Sequence, residues 1–158
     1  MSYAMIEEIL KCSDRHKLFV LSCEFSNLES CISTLENSEV KVINIGQKMA
    51  SYIDSLDNYD FLSLDVADYL KSILSECTEK NEKNGIPIVA IHNLGILLEP
   101  ALELNATQLL KEFSKTAALI IIWENQSDIP DRLHWSTQQN NIFLDFTETA
   151  LKKLQYAI

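Results

Sequence analysis

The sequence predicts an α/β fold with three layers, in which helices cover both faces of a mostly parallel five-stranded sheet. Short apolar runs that are typical of strands alternate along the chain with segments whose apolar residues recur at helical spacing. This alternation favours parallel strands that are joined by helices. The run Ala118–Trp123 (ALIIIW) is apolar at every position, which is typical of an interior strand that is buried on both faces.

The five predicted strands are short segments rich in β-branched and other apolar residues. They are Leu18–Cys23, Val40–Ile45, Pro87–Ile91, Ala118–Trp123 and Ile142–Phe146. Proline cannot donate a hydrogen bond to a neighbouring strand, but it is tolerated at the first residue of a strand, where Pro87 stands. Polar loops are predicted at Thr78–Gly85 and Glu124–Asn141.

The clearest predicted helix carries an apolar stripe that repeats every three or four residues. The stripe consists of Val66, Tyr69, Leu70, Ile73, Leu74 and Cys77. Ser63 or Asp65 is its predicted N-cap, because either side chain can accept a hydrogen bond from a free backbone N–H. Asn105 is the predicted cap of a later helix, and Thr147 that of a closing helix. The other apolar sets at helical spacing are Met5, Ile6, Ile9 and Leu10; Leu28, Cys31, Ile32 and Leu35; Met49, Ile53 and Leu56, after Gly46; Leu109, Leu110 and Phe113; and Ala150, Leu151 and Leu154.

Size and composition predict one globular domain over residues 1–158, since 47% of the residues are hydrophobic and 23% are charged. The apolar runs are too short to span a membrane. Glu7 and Glu8 interrupt the apolar residues near the start, so no signal peptide is expected. The four cysteines form no CxxC pair and match no zinc spacing. We therefore expect a cytoplasmic protein with reduced core cysteines and no metal.

The charge of the chain indicates which partners it can bind. The formal net charge is −10, from 13 basic and 23 acidic residues. Proteins that bind nucleic acids neutralise phosphates with clustered Lys and Arg, whereas the basic residues here occur in small isolated groups. Direct nucleic-acid binding is therefore not expected. An acidic surface favours basic protein partners.

The turn after the first strand is the first place to look for a ligand site, because α/β proteins bind ligands beyond the carboxyl ends of their strands. A phosphate-binding loop has the pattern GxxxxGK[ST], in which glycines let the backbone surround the phosphates and lysine neutralises their charge. In this chain Cys23 and Leu28 replace the two glycines, and Glu29 replaces the lysine. Ser30 alone keeps the residue type of the pattern.

The end of the third strand is the second such place, because an acidic residue that holds a metal ion follows this strand in phosphate-binding proteins of this kind. Here the residues are His92 and Asn93. His92 could act as a general base, or it could be a packed histidine with no catalytic partner. The phosphate-binding turn after the first strand and the metal-binding position after the third strand therefore both lack the residues that their functions require.

Several segments resemble the small P-loop protein of type 3 BREX phage-defence systems. They are Val89–Glu99 (VAIHNLGILLE), the stretch from Pro100 through Leu110, the strand that ends in Trp123-Glu124-Asn125, Val42–Leu56, and Arg132-Leu133-His134-Trp135. The resemblance implies a P-loop NTPase topology with strand order 5-1-4-3-2 and a role in antiviral defence. At Glu29 the family's lysine is missing, and at His92 its acidic residue is missing, so the resemblance gives no support for catalysis.

Electrostatics and backbone sterics both predict that nucleotide binding is lost. Two unit charges about 4 Å apart interact by about 4 kcal/mol at an effective dielectric of about 20, so Glu29 would repel a triphosphate that lysine attracts. Each non-glycine residue forced into left-handed geometry costs roughly 1–2 kcal/mol. Micromolar binding amounts to only about 8 kcal/mol. We therefore expect no cofactor.

These observations predict a non-catalytic, ATPase-like accessory subunit that docks on other proteins of a defence complex or on copies of itself. A nucleotide-binding enzyme or switch that uses Ser22, Ser26, Asn27 and Asn93 is one alternative. A regulator or inhibitor that mimics a defence subunit is another.

The candidate contact residues for a partner are Arg132, His134 and Trp135, which stand close together in a polar segment. Tryptophan and arginine are enriched at interface hot spots. The alternative is that Trp135 folds back onto its own domain. Trp123 ends a buried strand and is expected in the core.

Overall fold

A parallel sheet forms the centre of the computed structural model, which describes residues 9, 11, 15–23, 25–77, 87–123, 132–133, 144–146 and 151–155. The strands are β1 (Leu18–Ser22), β2 (Lys41–Asn44), β3 (Ile88–His92), β4 (Ala118–Trp123), β5 (Arg132–Leu133), β6 (Leu144–Asp145) and β7 (Lys152–Gln155). The central sheet has the order β2-β3-β4-β1-β7, and all of its neighbouring strands are parallel. β5 and β6 form a separate antiparallel pair.

Helices connect the central strands. The α-helices of four residues or more in the described ranges are α1 (Leu28–Asn37), α2 (Ile45–Ser55), α3 (Leu62–Glu76) and α4 (Ala106–Phe113). Short 3₁₀ turns lie at Phe25–Asn27, Gly95–Leu98 and Pro100–Leu102. The aromatic rings of Tyr52 and Tyr69 stack with their centroids 4.1 Å apart, which joins α2 to α3.

Both faces of the sheet are buried, which explains why β4 is apolar at every position. One face carries Leu18, Val20, Val89, Ile91, Leu119 and Ile121, in one apolar cluster with buried residues of α2, α3 and α4. The other face carries Phe19, Leu21, Ile88, Ala90, Ile120 and Ile122, in a second cluster with Cys31 and Leu35 of α1. The three-layer α/β architecture is therefore confirmed.

The strand order 1-4-3-2 is confirmed for the first four predicted strands. Their observed bounds differ from the predicted ones by one residue at most at either end. At β3 this difference matters for the site. The strand begins at Ile88, directly after Pro87, and His92 is its last residue instead of following it. Asn105 caps α4 as predicted, since its side chain accepts a hydrogen bond from the Gln108 backbone N–H at 3.2 Å.

The prediction for the fifth strand is wrong. Leu144–Asp145 lies outside the central sheet and pairs with Arg132–Leu133, which was predicted to be part of a loop. The strand beside β1 is β7, which had been predicted as a closing helix with Leu151 and Leu154 inward. Its parallel pairing satisfies the outer edge of β1, and such tertiary pairing overrides the weak helical preference of a short segment.

Two helix starts also differ from the prediction. α3 begins at Leu62 after Phe61, which makes no capping side-chain hydrogen bond, so Ser63 and Asp65 lie inside the first turn. α2 begins at Ile45 and contains Gly46 in its first turn. Of the predicted opening helix only Ile9 is described, as helical and buried. The segments 78–86, 124–131, 134–143 and 147–150 lie outside the described residues.

Candidate functional site at the carboxyl edge of the sheet

Four strands end at one edge of the sheet, because parallel strands share their direction. Asn44 of β2 is in register with His92 of β3, and Ser22 of β1 is in register with Trp123 of β4. The Cys23 N–H donates to the Trp123 carbonyl at 3.0 Å, which extends the β1–β4 pairing by one residue. The predicted phosphate turn and the predicted metal position therefore lie at the same edge.

The turn after β1 has the geometry of a plain strand-to-helix connection. The 3₁₀ turn Phe25–Asn27 leads directly into α1. Leu28 is half-buried and packs against the apolar cluster that contains Cys31. Glu29 and Ser30 are exposed in the first helical turn.

The described residues of this turn contain no left-handed residue. Many anion-binding concavities are formed by residues that alternate between right- and left-handed geometry, so that successive N–H groups converge. Among the described non-glycine residues, those with positive φ are Glu39, Asn93 and Glu103. None of them belongs to the turn, in which all residues except Glu24 are described.

The end of β3 is held by an amide pair. The Asn93 Nδ2 donates to the Asn44 Oδ1 at 2.9 Å. The same Oδ1 accepts the Gln47 backbone N–H at 3.0 Å and caps α2. Asn93 has a φ of 59°, a left-handed conformation that asparagine tolerates better than most residues. One oxygen atom therefore fixes both the β3 turn and the start of α2.

Gly46 is required by the close approach of Asn93. A Cβ atom at this position would lie 2.3 Å from the Asn93 Nδ2, 2.6 Å from its Cγ and 2.8 Å from its backbone oxygen. All three separations are far inside van der Waals contact. The space over Gly46 is therefore occupied by Asn93, whose side chain is otherwise exposed.

His92 is a buried, uncharged residue at neutral pH. Its exposed fraction is 8%, and burial lowers the pKa of its imidazole below the ordinary value. Its Nδ1 is buried without a hydrogen-bond partner among the described residues. These observations support packing, because a general base needs a partner and access to its substrate.

Two of the described cysteines have a raised pKa. Cys23 and Cys31 are buried and Cys77 is half-buried, and none of the three is in a disulfide among the described residues. Burial raises the pKa of Cys77. Burial, with a smaller contribution from the neighbouring Cys23, raises the pKa of Cys31 to about 12. Since the thiolate is the reactive form, Cys31 is inert at neutral pH.

The predicted partner contacts fall at the limit of the described chain. Arg132 lies in β5, while His134 and Trp135 lie outside the described residues. Trp123 has an exposed fraction of 9% and belongs to the apolar core, as predicted.

Sequence reasoning missed three features of the molecule. The first is the contact of Asn44 and Gly46 with Asn93. The second is an exposed apolar group before and within the first turn of α3, formed by Tyr59, Phe61 and Leu64. The third is the outer edge of β2. The motif Asn44-Ile45-Gly46 was a usable signal for the first, because asparagine caps helices and glycine allows close approach.

Neither a metal-binding group among the described residues nor a similarity to known proteins points to a ligand for this site. Within the described ranges, no group of three His, Cys, Asp or Glu side chains could hold a metal ion. No helix in that part of the chain is long and apolar enough to cross a membrane. No known protein family, curated protein or solved structure matches the chain.

Proposed function

We propose that the protein is a non-catalytic interaction subunit with a P-loop NTPase-like fold, which docks on other protein subunits of a BREX-like defence complex. One observation carries the non-catalytic part of this proposal. At the carboxyl edge of the sheet, where a nucleotide would bind, the end of β3 carries the neutral His92 and the hydrogen-bonded Asn93–Asn44 amide pair in place of an acidic metal ligand. The defence context comes from the sequence resemblance alone.

The strand order supports the P-loop NTPase-like topology. When β7 is counted as the fifth strand of the central sheet, the order is 5-1-4-3-2. α1 connects β1 to β2 on one face, and the helices that return to β3 and β4 lie on the other. The layout therefore agrees with that topology, although the fifth strand lies later in the chain than the predicted one.

The local charge also favours the loss of nucleotide binding. Glu29 places a carboxylate in the exposed first turn of α1, where the helix dipole stabilises a negative charge. A triphosphate at this helix start would be repelled by that carboxylate. Neither His92, which is neutral and buried, nor Asn93, whose amide is hydrogen-bonded to Asn44, is available as an anionic metal ligand.

Isothermal titration with Mg-ATP tests the non-catalytic part of the proposal. We expect no binding up to millimolar nucleotide. Micromolar or tighter binding would contradict the proposal and favour the nucleotide switch, for which Ser22 and Ser26 are exposed at the same edge. A thermal-shift screen across nucleotides would then identify the ligand.

Co-purification from the native host tests the docking part. The expected result is recovery of defence proteins in stoichiometric amounts, identified by mass spectrometry. Recovery of the chain alone at native expression levels would contradict docking. Recovery with a partner that is inactivated by the chain would favour the inhibitor.

A further inference from the structure

The outer edge of β2 is an open edge of the central sheet within the described part of the chain. β2 stands first in the strand order and pairs with β3 along its inner side. An edge strand presents a row of backbone N–H and C=O groups to an incoming chain, which can add as a further strand. The surface around this edge therefore decides which chain can bind there.

Two grooves flank the edge of β2. The lysine groove has a volume of about 570 Å³ and lies on the α3 side of the strand. Its lining residues are Lys41, Val42, Ile43, Lys48, Ile73, Glu76 and Cys77. The Ile32 groove has a volume of about 510 Å³ and extends from Ile32 of α1 past Val42 and Asn44 to Ser51, Tyr69 and His92. The two grooves share Val42, Ile43 and Lys48. A strand added to β2 would therefore run along both.

The two grooves differ in charge. The lysine groove carries two exposed ammonium groups, from Lys41 and Lys48, and one carboxylate, from Glu76, whereas Lys48 is the one charged residue among the described residues that line the Ile32 groove. Burial raises the pKa of the Cys77 thiol; Lys41 and Lys48 act to lower it, and Glu76 acts to raise it, so all three charges lie close to the thiol in this groove. On the other side, Glu29 and Glu36 are exposed one helical turn before and after Ile32. They disfavour acidic side chains there.

Successive side chains of an added strand point to opposite faces of the sheet. We propose that the outer edge of β2 binds an extended segment of a partner protein, in which acidic side chains facing Lys41 and Lys48 alternate with apolar side chains facing Ile32 and Val42. The inference names the partner-binding surface of the proposed interaction subunit, and to that extent it rests on the proposed function.

The negative net charge of the chain does not prevent this binding. At physiological ionic strength the Debye length is about 8 Å, so the lysines beside the groove outweigh more distant carboxylates. A second copy of the chain fits the edge less well. Pairing of two β2 edges would bring the same lysines together on one face, and each copy carries a net charge of −10.

The test uses the full chain and a fluorescein-labelled peptide of about eight residues in which Glu and Val alternate, since a typical strand has about five or six residues. Fluorescence anisotropy measures its affinity. A Lys–Val alternating peptide and a block peptide with the composition of the first, but without alternation, are the controls. We expect saturable binding of the alternating acidic peptide below millimolar concentration, and binding at least tenfold weaker for both controls.

Charge reversal locates the binding site. The double variant Lys41→Glu/Lys48→Glu should weaken binding of the acidic peptide at least tenfold, because two attractive contacts become repulsive. The matched control is Lys71→Glu, which reverses an exposed lysine of α3 that lines neither groove and should change the affinity less than twofold. Hydrogen exchange on the unmodified chain should show new protection of amides in Lys41–Asn44 and none in Lys152–Gln155.

Four results would overturn the inference. They are no binding at millimolar peptide, equal binding of the block peptide, equal weakening by Lys71→Glu, and protection at β7 instead of β2. Concentration-dependent dimers in sedimentation analysis, with protection of Lys41–Asn44 that grows with chain concentration in the absence of peptide, would identify a second copy as the occupant and overturn the choice of partner. Mg-ATP binding together with peptide binding would refute the proposed function and leave this inference standing. If neither Mg-ATP nor the peptide binds, this inference is refuted and the non-catalytic part of the proposed function stands.

Discussion

The turn after β1 and the end of β3 lie at the same edge of the sheet, yet their side chains are held very differently. In the first turn, Glu29 and Ser30 are exposed and Leu28 is half-buried. At the end of β3, the Asn93 amide bonds Asn44 and approaches Gly46 too closely for a side chain. A ligand could be excluded from the first place by charge alone, whereas at the second an amide pair, packed against Gly46, stands where an acidic metal ligand would be needed. The predictions below test this difference.

Replacement of Gly46 by Ala should give the largest effect. The new Cβ would meet the backbone oxygen of Asn93 at 2.8 Å as well as its side chain, and overpacking of this kind costs about 1–3 kcal/mol. We expect the free energy of unfolding, measured by urea titration, to fall by about 3 kcal/mol. The control Ser51→Ala, at an exposed position of the same helix, should change it by less than about 0.5 kcal/mol. Equal effects of the two substitutions would show that the contact is not tight.

Substitutions of Asn93 separate its hydrogen bond from its backbone conformation. Asn93→Ala removes the bond to Asn44, worth about 1 kcal/mol, and places alanine in left-handed geometry at a cost of about 1–2 kcal/mol. We expect a loss of about 2 kcal/mol in the free energy of unfolding. Asn93→Gly loses the same bond but accepts the positive φ, so its loss should be about 1 kcal/mol. An equal loss for both variants would contradict the role of the backbone conformation.

The burial of His92 should make stability depend on pH. Its pKa in the folded protein lies below the ordinary value of 6.5 because burial disfavours the charged imidazole. The unfolded chain therefore binds the proton more readily, and the free energy of unfolding should fall as the pH drops below about 6.5. Urea titrations between pH 7.5 and pH 5.5 measure this slope.

Histidine variants assign that slope. His92→Asn should reduce it, since the titrating group is removed. The control His16→Gln should leave the His92 contribution in place, although it removes the contact of the His16 Nδ1 with the Lys111 carbonyl oxygen. An unchanged slope in His92→Asn would show that other groups cause the pH dependence.

Much of the sheet was predictable because burial on both faces leaves a clear signature. β4 is a continuous apolar run, and β1 is apolar up to Ser22. Short apolar runs of about four to six residues between polar segments favour buried strands, because helices are usually longer. β7 has no such signature. Leu151 and Leu154 are three residues apart, which fits a helix, and the parallel pairing with β1 that makes the segment a strand joins residues more than 130 positions apart. A local pattern contains no information on that pairing.

The candidate site shows the same limit. Asn44 and Asn93 are 49 positions apart, and their bond depends on the register that places β2 beside β3. The sequence did indicate that Glu29 and Asn93 differ from a phosphate-binding pattern, because residue type is local. It did not indicate that Asn93 fills the space over Gly46, since this depends on a positive φ and on the position of α2.

Substitution of Glu29 by Lys should give the smallest effect on stability and tests whether charge alone excludes nucleotide from the turn after β1. Glu29 is exposed, so the loss of a favourable charge at the start of α1 should cost about 0.5 kcal/mol or less. The variant restores the basic residue of the phosphate-binding pattern, but Cys23 and Leu28 still replace its two glycines, and His92 and Asn93 still stand in place of an acidic metal ligand. We therefore expect no Mg-ATP binding by isothermal titration. Micromolar binding by Glu29→Lys, with none by the unmodified chain, would show that charge alone excludes the nucleotide and that the packing at Asn93 does not matter.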